Sequence, residues 1–336
     1  MSTIRDVAKR AAVSSMTVSR VINNSGYVGK EARERVETAI RDLGYVPNTL
    51  ARSLRFKRTK LLALILSDIT NPYFTTIARG VEDTSSKHGF NVVLCNTDES
   101  AGEEERYLTA LVQRQVDGVL LVPALSGDLS VAFCQQHNVP VVLVDRHLPG
   151  CHVDSVRSDS ERGAYDLVRV LLDLGHRRIA ALLGPLAVST AVDRAAGYRR
   201  ALAQAGLPSG NELIRYGQYN RASGYEMAQD VLQTWPRPTA IFAGNNFIAV
   251  GAYHALHSAG LSVPDDVALV AFDDLPLGLI PEPILTVAAQ PAYEIGRVAT
   301  ELLLARLAGK GPAEPQEIVL ATEVIVRRSS GRSLMV

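Results

Sequence analysis

The run Leu61-Leu62-Ala63-Leu64-Ile65-Leu66 is apolar at every position, so a strand built from it must be covered on both faces. Similar short runs follow at Val92 to Leu94, Val119 to Val122, Val141 to Val144, Ile179 to Leu183, Ala240 to Ala243 and Ala268 to Phe272, with helix-length stretches between them. Strands and helices in alternation build a parallel sheet with helices on both faces, which predicts a doubly wound α/β body starting near residue 61. A chain of 336 residues has room for two or three domains with separate cores.

The first 60 residues read differently. They hold 13 Lys+Arg against 5 Asp+Glu, a balance of +8, while the remainder holds 22 against 30, a balance of −8. A basic head on an acidic body fits a polyanion-binding module fused to something else. Thr3-x-x-Asp6 starts one short helix as a capping box, and Val7, Ala8 and Ala11 are its apolar stripe. Ser14 caps a second helix, on which Val18, Val21 and Ile22 face inward and Ser15, Met16, Thr17, Ser19, Arg20 and Asn23 are left outside. The connection of about three residues is helix-turn-helix spacing. Arg20 lies one turn beyond Met16, so a group able to grip guanine shares a face with one able to touch a thymine methyl. A third helix is predicted from Lys30 to Leu43, ended by Gly44 and kept from restarting by Pro47. By itself the second helix also reads as an ordinary amphipathic surface helix; the capped helix before it favours the groove reader.

Thr3-Ile4-x-Asp6-Val7-Ala8, Thr17-Val18-Ser19-Arg20-Val21-Ile22-Asn23 and Leu43-Gly44-Tyr45-x-Pro47-Asn48 together resemble the lactose-repressor (LacI/GalR) family of bacterial transcription factors, and the likeness extends through nearly the whole chain. Ala12 departs from the family's usual left-handed Gly in the turn, at about 1 kcal/mol if the backbone is kept. Gly29 stands where the family usually offers Ser as the third helix's cap. Between head and body, Asn48 caps a helix of about two turns, too short to be stable alone, with Leu50, Ala51 and Leu54 at helical spacing. The resemblance implies that two such hinge helices pair on the operator and press Leu54 into its minor groove; Arg52 and the other basic residues up to Lys60 supply phosphate contacts or linker solubility. A plain flexible linker is the competing reading. The expected DNA contacts are Thr3, Ser14, Ser15, Met16, Thr17, Ser19, Arg20 and Asn23, with Asn48, Ala51, Arg52 and Leu54 in the hinge.

The body's strand ends carry Asp68 to Phe74, Asn96-Thr97-Asp98, Asp145-Arg146, Asn245-Asn246 and Asp273-Asp274, while Ser189-Thr190 and Arg194 follow the fifth strand. Ligands of doubly wound sheets gather at such ends, and acceptors, two guanidinium forks and an aromatic suit a small hydroxyl-rich molecule. The resemblance implies a periplasmic-binding-protein-like body of two doubly wound parallel sheets closing on an effector. Its expected contacts are Arg194, Asn245 and Asp273, then Asp145, Thr190, Phe74, Arg146 and Asp68. The effector is expected to be a monosaccharide, sugar acid or sugar phosphate, in preference to a purine, since no stacking pair stands out. Asn246 departs from the family's common Asp. The expected domains are a helix-turn-helix head (1–46), a hinge and linker (47–60) and an effector-binding and dimerisation body (61–330), whose lobes take about 61–157 with 290–320 and about 158–288 with 321–330.

Other chemistry is set aside. The chain has no GxxxxGK[ST] loop and no GxGxxG after a strand, and Cys134 with His137 or His254 with His257 lacks further metal ligands nearby. Cys95, Cys134 and Cys151 form no CxxC pattern and read as buried thiols. The histidines show no nucleophile-and-orienter arrangement. No apolar run approaches the roughly 18 to 20 residues of a membrane span, and the N-terminus is not that of a signal peptide. The reading is therefore a cytoplasmic, homodimeric, operator-binding repressor of sugar-utilisation genes, without cofactor, metal, membrane contact or enzymatic activity, controlled by a small effector. The last ten residues carry no heptad repeat for a coiled-coil tetramer. A transport-type sugar-binding protein and a DNA-binding protein with a non-responsive body are the alternatives.

Overall fold

The computed structural model describes residues 2–46, 58–124, 127–208, 211–275 and 284–331. It divides into two compact units, Met1–Thr59 and Lys60–Val336.

The head has three helices, α1 (Ile4–Ala11), α2 (Ser15–Ile22) and α3 (Lys30–Leu43). The capping box forms: the Asp6 amide donates to Thr3 Oγ1 at 3.3 Å and the Thr3 amide to Asp6 Oδ2 at 2.8 Å. Ala12 takes φ 52° and ψ 48°, so the left-handed turn is kept without glycine. Ser14 Oγ accepts the Thr17 amide at 3.1 Å and starts α2. Gly29 caps α3 without a side-chain bond, and Gly44 ends it at φ 55°. Val7, Ala8, Ala11, Val18, Val21, Val36 and Ala39 form the small core.

The body holds two six-stranded sheets. The first is built from β1 (Leu61–Leu66), β2 (Asn91–Asn96), β3 (Gly118–Leu121), β4 (Val141–Val144), β5 (Asp154–Ser158) and β11 (Glu317–Leu320), in the order β11-β5-β4-β3-β1-β2, all parallel. The second takes β6 (Ile179–Leu183), β7 (Ile214–Tyr216), β8 (Ala240–Ala243), β9 (Ala268–Phe272), β10 (Thr286–Ala289) and β12 (Glu323–Ile325), in the order β12-β10-β9-β8-β6-β7. Here β12 runs antiparallel to β10, a departure from an all-parallel sheet. Only Ala321 and Thr322 separate it from β11. The chain passes from one sheet to the other after β5, after β10 and after β11.

Leu62, Leu64 and Leu66 of β1 enter one core while Ala63 and Ile65 enter the core on the opposite face, which is why this strand has no polar position. By contrast β2 is an edge strand, and its Val93 and Leu94 are exposed. Helices α4 (Pro72–Lys87), α5 (Ala101–Gln113), α6 (Gly127–Gln136) and α11 (Ala292–Leu307) accompany the first sheet. Helices α7 (Ser160–Asp173), α8 (Ser189–Gln204), α9 (Arg221–Leu232) and α10 (Asn246–Ser258) accompany the second. No helix among the described residues is long and apolar enough to cross a membrane.

Candidate functional site

Among the described residues, polar side chains gather at two places, one on a helix surface and one in a cavity. The first is α2. Ser14, Ser15, Met16 and Arg20 are exposed along it, Met16 to 64%. Thr17 and Ser19 are half-buried: the Thr17 hydroxyl lies 3.0 Å from Ser14 Oγ, and Asn23 Nδ2 donates to Ser19 O at 2.8 Å and Ser19 Oγ at 3.2 Å. Asn23 is therefore partly engaged in closing its own helix. Thr3 is tied into the cap of α1. Asn48, Ala51, Arg52 and Leu54 lie outside the described residues. Tyr27, beyond the end of α2, is 91% exposed.

The second place is a cavity of about 420 Å³ between the two sheets, at the carboxyl ends of their strands. Asp68, Phe74, Asp145, Arg146, Thr190, Arg194, Asn245 and Asp273 all line it. The first sheet and its helices supply the first four, the second sheet and its helices the others. Asp68 Oδ1 accepts from the Thr70 amide and hydroxyl at 2.8 and 2.6 Å. Phe74 stands at a tilt beside Tyr73, ring centroids 5.1 Å apart. Tyr73 Oη donates to Asp145 Oδ1 at 2.6 Å. Arg146 grips Glu99 with both terminal nitrogens at 2.7 and 2.5 Å and donates to Pro123 O at 2.7 Å. Arg194 lies over the Phe272 ring, its Cζ 4.0 Å from the ring centroid, and donates to Gly244 O at 2.6 Å. Asn245 Oδ1 caps α10 through the Ile248 amide at 2.8 Å, which leaves its Nδ2 as a donor. Thr190 and Tyr219 share a hydroxyl contact of 2.9 Å. Gln290 Nε2 donates to Asp273 Oδ1 at 2.5 Å, while its Oε1 accepts from Ser158.

Burial sets the charge states. It raises the Asp273 carboxyl from 3.8 to about 6, against the pull of Arg194 and the Gln290 bond. It also raises Asp145, against Arg146 and Arg194, and lifts the Tyr73 phenol well above its ordinary value, with Asp145 adding to the effect. Burial works on Glu99 in the same direction, but the charge and hydrogen bonds of Arg146 overcome it and hold that carboxyl low. The Nε atoms of Arg146 and Arg194 are buried without a hydrogen-bond partner, a costly state unless something else accepts from them.

Two family models cover the chain. Residues 3–48 match "Bacterial regulatory proteins, lacI family", and residues 59–324 match "Periplasmic binding proteins and sugar binding domain of LacI family". The chain belongs to the LacI family. It is a DNA-binding transcriptional regulator carrying a sugar-binding type of body. A ribose operon repressor from Halalkalibacterium halodurans is 38% identical over 98% of this chain and 97% of its own. Among solved structures, the transcriptional regulator CelR in complex with cellobiose is 35% identical with a TM-score of 0.75, over 98% of this chain and 100% of that one. The lac repressor dimer bound to operator and the anti-inducer ONPF has a TM-score of 0.87 at 27% identity, over 98% and 99%.

Within this LacI-family body several cavity-lining residues escaped the sequence reading. Gln290 follows β10 and Tyr219 follows β7, strands too short or too polar in their surroundings to be picked out by apolar runs. Glu99 sits one residue past Asp98, which the strand-end rule did find. Asn246, the departure from the family's Asp, does not line the cavity: fully buried, it exchanges amide hydrogen bonds with Asn71 at 3.0 and 3.2 Å, joining the two lobes. Asp274 is held away by Arg327 in a two-pronged ion pair at 2.8 and 2.6 Å.

Proposed function

We propose that this regulator represses sugar-utilisation genes by holding a pseudo-palindromic operator as a homodimer, and that a neutral monosaccharide or small neutral glycoside between its lobes changes that hold. The observation that carries this reading is the cavity itself: both lobes contribute acceptors and donors to it. Its size lies in the lower part of the roughly 300–1,000 Å³ range of small-molecule sites. The names of ribose and cellobiose in the relatives agree with a sugar, and the lac repressor dimer on its operator supplies the assembly. Because both lobes touch the ligand, it binds the closed arrangement better than the open one, and by linkage it shifts DNA affinity. The DNA contacts are those of α2, with Arg20 and Met16 reading the groove and the hinge residues Asn48, Ala51, Arg52 and Leu54 completing the grip. The protein acts in the cytoplasm, where its operator is, and returns its ligand unchanged, as befits a family of regulators.

The test is thermal unfolding of the full chain with neutral sugars, sugar acids, sugar phosphates and purines at millimolar concentration. A ligand at 100 times its dissociation constant adds about 2.7 kcal/mol, a visible shift. A neutral sugar should shift the transition and alter retention of a selected operator fragment. A response to purines alone, or chemical conversion of the ligand, overturns the proposal.

A further inference from the structure

Resting on the reading of the cavity as the effector site, we propose that Glu99 is a specificity-determining residue, one that takes up the charge of Arg146 so that the cleft selects neutral polyols over sugar acids and sugar phosphates. An arginine on a ligand wall is ordinarily a carboxylate or phosphate reader, because its two terminal nitrogens match two oxygens of the anion. In this cleft that edge of Arg146 is already occupied by a carboxylate of the protein, at 2.7 and 2.5 Å. The Arg146 side chain is 3% exposed and that of Glu99 23%, so water screens the pair little and a ligand anion would have to displace Glu99 from its only described cation.

The backbone holds Glu99 in place for this. Asp98 and Glu99 follow each other at φ 49° and 61°, a left-handed pair without glycine, which persists only where the surroundings impose it. Asn96 Nδ2 donates to Asp98 Oδ1 at 2.7 Å and Asn96 Oδ1 accepts the Ile69 amide at 2.7 Å, which ties this turn to the loop after β1. With its terminal edge taken, Arg146 keeps only Nε without a hydrogen bond, and that nitrogen is buried 3.7 Å from Asp145 Oδ2. Arg194 has no carboxylate partner among the described residues, but Asp68, Asp98, Asp145 and Asp273 line the same cavity. The local field therefore repels an anion and accepts a neutral hydroxyl-rich ligand.

Calorimetric titration of the full-length protein with matched probes tests this: glucose with glucuronate, galactose with galacturonate, and ribose with ribose 5-phosphate. The wild type should bind the neutral member of a pair at least about ten times more tightly. In Glu99→Gln the ratio should fall by about tenfold or more through a gain in binding of the anionic member, and adding Arg146→Gln should abolish that gain. Glutamine leaves Arg146 with only Asp145, 3.7 Å from its Nε, as a counter-charge among the described residues, so the unliganded variant should melt earlier and be restored by the anionic probe and not by the neutral one. Glu99→Asp keeps the charge but cannot hold both nitrogens, and should move the ratio in the same direction by a smaller factor. A ratio in both variants equal to that of the wild type overturns the role of Glu99 while the cleft reading stands. If no probe binds the wild type or either variant, the cleft reading falls and this inference with it.

Discussion

Asp145 and Asp273 occupy matching places in the two lobes. Each follows the third strand from the β11 or β12 edge, each is buried in the cleft, and each takes a positive φ, 69° and 65°. Asp tolerates this region better than most residues, and the turn aims its carboxylate across the strand ends. The price is a desolvated charge. Since the folded carboxyl of Asp273 titrates at about 6 instead of 3.8, the folded protein holds its proton more tightly than the unfolded chain does. Its contribution to stability is complete below about pH 4 and is lost as the pH rises through about 6. Asp273→Asn, neutral at every pH, should therefore gain on the wild type in melting temperature between pH 4 and 8, by up to about 3 kcal/mol of unliganded stability, while losing sugar affinity. A gap that stays constant with pH would refute the burial argument. Ala12 is another non-glycine residue at positive φ, 52°. Ala12→Gly should stabilise the head by about 1 kcal/mol against urea, and a loss of stability would mean the turn is held by something other than its backbone.

Helix α4 brings Tyr73 and Phe74 to the cavity and meets α11 backbone to backbone at two glycines. A Cβ on Gly80 would lie 2.2 Å from Tyr293 O, and one on Gly296 would lie 2.2 Å from Ile77 O. Gly296→Ala should therefore cost about 1–3 kcal/mol in denaturant unfolding, and lower sugar affinity by displacing the start of α4. Unchanged values for both would show that the helices can separate freely. On α2 the expectation concerns DNA: Arg20→Ala should relax base preference at one operator position and leave non-specific binding nearly intact, as read by competitive binding to operator variants. A uniform loss over all sequences would assign Arg20 to phosphate. The helix boundaries were legible because caps and stripes are local: Ser14 to Thr17 spans one turn, and α3 begins and ends where the charges and Gly44 place it. β5, with Asp154, Ser155, Arg157 and Ser158 in its five residues, was not legible, since what makes it a strand is its pairing with β4 and β11 on either side and not a run of apolar side chains.

At the scale of the whole body, the two lobes meet through polar contacts that belong to neither lobe alone. The Asn71 and Asn246 amides bond reciprocally, and Gln290 joins Ser158 to Asp273. Two hydrogen bonds in a buried place contribute about 1–3 kcal/mol to the arrangement in which both form. Asn246→Ala should then weaken sugar binding about five- to tenfold and enlarge the unliganded protein in solution scattering, by favouring separated lobes. Wild-type affinity in that variant would show that the amide pair is incidental to closure.

What the sequence by itself determined is what depends on neighbours within a few residues: strands sealed on both faces, capped helices, a helix with an outward polar face, and polar residues at strand ends. Which of those polar groups remain available to a ligand was decided by the tertiary structure. Arg146 finds Glu99 47 positions away, and Asn71 finds Asn246 175 positions away. Periodicity records whether a residue faces a core, because that repeats along the chain. The charge state and hydrogen-bonding of a buried group depend instead on partners that only chain folding brings within about 3 Å.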